Sequence, residues 1–120
     1  MFELIHWRGY LRVNKQVGAE RVINRMGRVL GDTFTLLSYE RYWKIPELAE
    51  VRLTSPLGAR EPQDAVFRTL LAVRRLGGPW SVGCQMQDDR LEFEGIAAKT
   101  AHARFVVPGV EWLLFSVTND

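Results

Sequence analysis

One segment narrows the class of fold more than any other. Between Pro62 and Leu76 the residues Val66, Phe67, Leu70, Leu71, Val73 and Leu76 recur at helical spacing, so one helix presents them as a broad apolar stripe. Pro62 suits the first helical turn, where its missing N–H costs nothing, and Gly77-Gly78-Pro79 ends the pattern. On either side the period drops to two, which is the mark of strands with one buried face. A striped helix and half-buried strands must bury those surfaces against one another. The chain is thereby confined to a layered α+β arrangement.

The remaining elements follow from the same two periods. Glu3 to Val13 reads as a strand with Ile5, Trp7, Leu11 and Val13 on one face and His6, Arg8, Tyr10 and Arg12 on the other. Gly9, on the first face, either admits a close neighbour or marks a bulge. Gly18 to Leu30 turns helical, with Val22, Ile23, Met26, Val29 and Leu30 inward and Gly31 placed to end it. Thr33 to Trp43 reads as a second strand and Ala49 to Ser55 as a third, with Pro46 and Ser55-Pro56-Leu57-Gly58 as turns. After the second helix, Trp80 to Gln87 alternates and is expected to bury Trp80, Val82, Cys84 and Met86. Asp88-Asp89 is a tight turn into Arg90 to Ala97, and Ala98 to Ala103 is less regular. Arg104 to Val107 and a Pro108-Gly109 turn lead to Val110 to Val117. That last run is nearly all apolar, as in a strand covered on both faces or lying in mid-sheet. The order β-α-β-β-α-β with additional C-terminal strands predicts a ferredoxin-like α+β fold: one domain over residues 1–120, a mostly antiparallel sheet, two helices on one face.

At 120 residues, 47% hydrophobic and 25% charged, the composition is that of an ordinary globular domain. No apolar run approaches the length of a membrane-spanning helix, and the N-terminal residues lack a secretory-signal pattern, since Glu3, His6 and Arg8 interrupt them. Cys84 is the only cysteine, which excludes an internal disulfide and makes a cytoplasmic setting the expectation. His6 and His102 stand at no metal-ligand spacing from a cysteine or carboxylate, no serine sits in a nucleophile elbow, and no glycine-rich phosphate loop precedes either helix. No catalytic residue, metal or cofactor is expected, and the chain does not read as an enzyme. Glu92, Glu94 and Arg90 share a strand face as a charge-balanced hairpin, and Arg21, Arg25 and Arg28 share a solvated helix face.

What remains is an interaction protein. Tyrosine and arginine suit interface anchors because they join buried area to directional hydrogen bonds. His6, Arg8, Tyr10 and Arg12 on the first strand, with Tyr39, Tyr42 and Trp43 near the end of the second, make the candidate partner-binding patch. Arg8-Gly9-Tyr10 echoes part of the signature of RNA-recognition modules, which stack bases on sheet aromatics. It lies on the first strand rather than the third, however, and a net charge of +2 lacks the clustered basicity of a dedicated binder. A nucleic-acid-binding module or a small regulatory ligand-binding domain is therefore the alternative reading. The overall style of the chain and the closing segment Phe105-Val106-Val107-Pro108-Gly109-Val110-Glu111-Trp112-Leu113-Leu114-Phe115 resemble bacterial immunity proteins. These are cognate inhibitors of polymorphic toxins, including those of contact-dependent growth inhibition systems. The resemblance implies a stoichiometric complex with a toxin domain, often a nuclease, neutralised by covering its active site or a nearby surface. It carries over no individual functional residue.

Overall fold

The chain, described over residues 1–120 by a computed structural model, turns the two periods into a sheet backed by two helices. Strand β1 (Phe2–Leu11) buries Ile5, Trp7 and Leu11 and turns His6, Arg8 and Tyr10 the other way. Helix α1 (Gln16–Leu30) buries Ala19, Val22, Ile23, Met26 and Leu30 against that inner face. It ends where Gly31 adopts the left-handed conformation (φ 77°) and donates its N–H to the Gly27 carbonyl at 2.8 Å, a geometry that glycine enters without steric cost. Strands β2 (Thr35–Arg41) and β3 (Ala49–Ala59) follow, then helix α2 (Pro62–Leu76) with proline in its first turn. Two glycines form the short β4 (Gly77–Gly78), paired with β7 (Arg104–Phe105). Between them run the hairpin strands β5 (Ser81–Gln87) and β6 (Arg90–Ala98) and a single 3-10 turn at Lys99–Ala101. The last strand is β8 (Val110–Thr118).

Six strands form one sheet in the order β2-β3-β1-β8-β6-β5, and every neighbouring pair is antiparallel. The α+β class and the antiparallel sheet are thus as the periods predict. The strand order is its own: β5, the first strand of this sheet after α2, goes to its far edge, and the place beside β1 is taken by the final strand. Gly9 sits in regular register between Val51 and Leu113. A Cβ there would lie 3.0 Å from Leu113 Cδ2, so this glycine serves close approach and not a bulge. The core is one cluster in which Phe115 meets the rings of Trp7, Trp80 and Phe93 edge-on or tilted, with centroids 6.2, 5.5 and 5.1 Å away. The buried indole N–H of Trp7 donates to the Ser55 hydroxyl at 2.9 Å.

Two expectations require correction. Ser55-Pro56-Leu57-Gly58 is not a turn, because β3 runs on to Ala59 beside β1. Beyond Thr54 that stretch has lost its β2 neighbour, so it is a local edge where a residue without an N–H is tolerated. Val82, Cys84 and Met86 are not buried: all of β5 is exposed, and only Trp80 of that predicted set is packed against the core. The reason is width. Strands lie about 4.8 Å apart and a helix is about 10 Å across, so two helices cover roughly four strands. The sixth strand has no layer beneath it.

Candidate protein-binding face

Because both helices occupy one side, the other side of the sheet is uncovered, and the register defines what it displays. One row across the strands reads Glu40, Glu50, Tyr10, Trp112, Ala98. The next reads Ser38, Arg52, Arg8, Leu114, Ile96, Ser81, and a third Thr54, His6, Ser116, Glu94, Gly83. At the centre the Tyr10 ring is sandwiched: Tyr42 stacks on it with centroids 4.4 Å apart and Trp112 at 4.8 Å. The Arg8 guanidinium lies 5.1 Å from the Trp112 ring centroid, a cation–π position. Trp43, 78% exposed, meets Tyr42 edge-on and carries Lys44 over its ring at 5.3 Å.

Charge on this face is unevenly matched. Arg52 approaches Glu50 at 3.6 Å, and Arg12 is bound to Glu111 at 2.6 Å with Lys99 at 3.1 Å on the other carboxylate oxygen. Arg8 has no acidic partner. It faces Arg52 directly across β3, and its Nε is buried without any acceptor. A buried N–H with no acceptor is uncommon in folded proteins and is costly. Burial raises the Tyr10 phenol above its usual value, and the Tyr42 hydroxyl and Glu50 carboxylate push it the same way, outweighing Arg8. Tyr10 thus remains a neutral hydrogen-bond donor and acceptor at physiological pH. At Glu111 burial opposes the charged form, but hydrogen bonds from Arg12 and Lys99 prevail and hold the carboxyl below the usual range.

Of the seven residues read from sequence, the fold brings together His6, Arg8, Tyr10, Tyr42 and Trp43. Arg12 lies past the end of β1 and is committed to Glu111. Tyr39 packs toward the helix side, and its hydroxyl accepts from Arg41 Nη2 at 3.0 Å. Arg41 in turn donates to the backbone carbonyls of Val13 (2.7 Å) and Asn14, so this pair ties down the β1–α1 connection. The sequence reading had not included Trp112, Leu114 and Ile96, which complete the apolar part of the face, nor Arg52 and Glu50, which set its charge. The two other charged sets are solvated: Arg21, Arg25 and Arg28 lie exposed on α1, and Glu92 and Glu94 lie exposed on β6. No cluster of three histidine, cysteine or carboxylate side chains is placed to hold a metal ion. No helix is long and apolar enough to cross a membrane. No protein-family model matches the chain, and no curated protein or solved structure is significantly similar to it.

Proposed function

We propose that the chain is a protein-binding domain of the immunity type, which neutralises a cognate toxin domain by seating it on the open sheet face. The observation that carries this reading is Arg8. An arginine with a buried, unpaired Nε, opposite another arginine and set among Tyr10, Trp112 and Leu114, is an anchor without its counterpart. A carboxylate on a partner would fork the guanidinium and remove its deficit once the Arg8 side chain turns to bring Nε out of its buried position, while the surrounding rings supply the desolvated rim that makes such a pair strong. The expected contact is therefore an acidic side chain of the toxin domain seated between Arg8 and Arg52. On this reading the fold is a ferredoxin-like variant in which β8 takes the place beside β1.

Two features favour protein over nucleic acid. Both faces of Tyr10 are occupied by its neighbours' rings, so a base finds no open platform there. Glu40, Glu50 and Glu94 share the surface with the arginines, where they would repel phosphate.

The test is genetic and biochemical together. The product of the neighbouring gene should be toxic when expressed alone, and co-expression with this chain should restore growth and give a co-purifying complex. Arg8→Glu should abolish rescue and weaken the complex at least about 100-fold, as for a lost central charge pair, while Arg21→Glu on α1 leaves both unchanged. A neighbour without toxicity, or rescue indifferent to Arg8→Glu, would sink the reading.

A further inference from the structure

We infer that the chain pairs with a second copy of itself through the free edge of β5, away from the face just described. All seven residues of this outermost strand are exposed. An exposed edge usually carries a charge, a proline or a bulge that discourages pairing with another chain. Ser81–Gln87 has no charged residue and no proline, and its register with β6 is unbroken from Ser81 to Gln87. The strand is a template left open.

Its inner face is open too. Val82 and Met86 are 50% and 52% exposed, and Cys84 between them is exposed. They sit opposite the buried positions Gly95, Leu91 and Phe93 of β6, hence on the helix side of the sheet. Phe67 of α2 is 62% exposed and lines a groove with Val66, Leu70, Cys84, Met86 and Leu91. This is core-type surface that α2 is too narrow to close.

The occupant follows from the strand's own symmetry. An antiparallel pair about a two-fold axis through Cys84 sets Val82 of one copy opposite Met86 of the other, twice, and Gly83 opposite Gln85. Apolar residues then meet apolar ones on the inner face, small polar ones meet on the outer face, and no like charges are apposed. Such an axis is perpendicular to the sheet, so both helical layers stay on the same side and the two grooves become continuous. This is the self-complementarity that a closed two-fold interface requires. Seven residues span about 24 Å of edge. With a sheet and one helix layer about 20 Å deep, the footprint approaches roughly 1,000 Å² in total, the lower bound for a specific pair.

The register makes the test sharp. In sedimentation or light scattering the protein should move from monomer to dimer between about 1 and 100 µM, the range of a small specific interface. Val82→Lys with Met86→Lys puts lysine against lysine at both crossings and should weaken the dimer at least about 10-fold. Val82→Glu with Met86→Lys puts glutamate against lysine at the same crossings and should recover most of that loss. Both positions are half exposed, and circular dichroism should show the fold intact in each variant. A short bis-maleimide should join the two copies in high yield through Cys84, the only cysteine, because directly opposite Cβ atoms lie about 4.5–5.5 Å apart. A wild-type chain still monomeric at about 100 µM overturns the inference, as does a dimer that survives the double-lysine change.

Discussion

Replacing Arg8 by methionine should make the isolated protein more stable, against the ordinary direction of mutation. Most single substitutions cost about 1 kcal/mol. Here the native residue is the liability. Its buried Nε donor has no acceptor, a deficit of about 1–3 kcal/mol, and Arg52 stands directly opposite, a like-charge pairing worth roughly 0.2–1 kcal/mol of destabilisation. Against these stands one attraction, the cation–π contact with Trp112, worth about 0.5–1 kcal/mol at a partly solvated site. Methionine keeps an unbranched apolar stem and offers sulfur to the same ring for about 0.3–1.5 kcal/mol. These terms together span a gain of roughly 0.5–5 kcal/mol, and the lower part of that range, about 1–2 kcal/mol, is the expected result. At the usual entropy of unfolding for a domain of this size, that raises Tm by roughly 4–8 °C, and it moves the urea midpoint upward without changing m. Arg12→Met is the control: Arg12 is paired with Glu111 and 57% exposed, so its loss should cost about 0–1 kcal/mol. Urea unfolding of the three proteins side by side decides the matter. If Arg8→Met proves as destabilising as a typical substitution, the guanidinium is serving the fold, and the case for an anchor awaiting its partner fails with it.

Three further changes probe the frame around that face. Ser55→Ala strands the buried Trp7 indole N–H and should cost about 1–3 kcal/mol, and pairing it with Trp7→Phe should cost less than the two separate losses together, as a double-mutant cycle by denaturation would show. Gly95→Ala sets a methyl 2.3 Å from Phe115 Cε2, a ring enclosed by Trp7, Trp80 and Phe93; a loss of about 1–3 kcal/mol or more is expected from overpacking, whereas Gly83→Ala, with nothing within 4 Å, should be neutral or slightly stabilising in the same thermal scan. Glu111 has a folded-state carboxyl held below its usual range, so its contribution is present above the ordinary carboxylate pKa and is lost as pH falls through the lowered value; Glu111→Gln should flatten that acid limb of the stability curve while leaving the alkaline limb untouched.

How far the fold could be read in advance divides along the range of the forces involved. The division of β1 into Ile5, Trp7 and Leu11 against His6, Arg8 and Tyr10 is a property of the pleat alone, and it holds. Asp88 and Asp89 do form a two-residue turn, both at positive φ (50° and 65°), which their short polar side chains tolerate. Tyr39 and Tyr42 are three residues apart, an odd separation that argues against a shared face in any regular strand; that signal was present and overlooked. Other features lie beyond local pattern. The mixed apolar run of β8 places it in mid-sheet, but period cannot say whether Trp112 and Leu114 meet a second layer of this chain or a partner's surface. Val82, Cys84 and Met86 alternate like core residues, yet whether a helix lies beneath them depends on where β5 ends up in the sheet. That is decided by pairings remote in sequence, β6 with β8 and β8 with β1.

The same topological step produces both exposed surfaces. Had the chain passed from α2 straight into a strand beside β1, the sheet would have had four strands, a width that two helices cover. Instead α2 is followed by the hairpin β5–β6, and β8 is placed between that hairpin and β1. On the outer face, the insertion sets Trp112 and Leu114 beside Tyr10 and Arg8, converting a narrow polar stripe into an aromatic platform around an unpaired cation. On the inner face it carries β5 past the reach of α2 and leaves the apolar edge uncovered. Neither surface lowers the free energy of the lone monomer, and a chain optimised only for its own stability would place charges on β5 and an aliphatic residue at position 8. Local rules broken together at sites remote from one another are what functional contacts leave in a sequence. The two proposals assign them to separate contacts: a carboxylate-bearing partner on the open sheet face, and a second copy of the chain at the sheet edge.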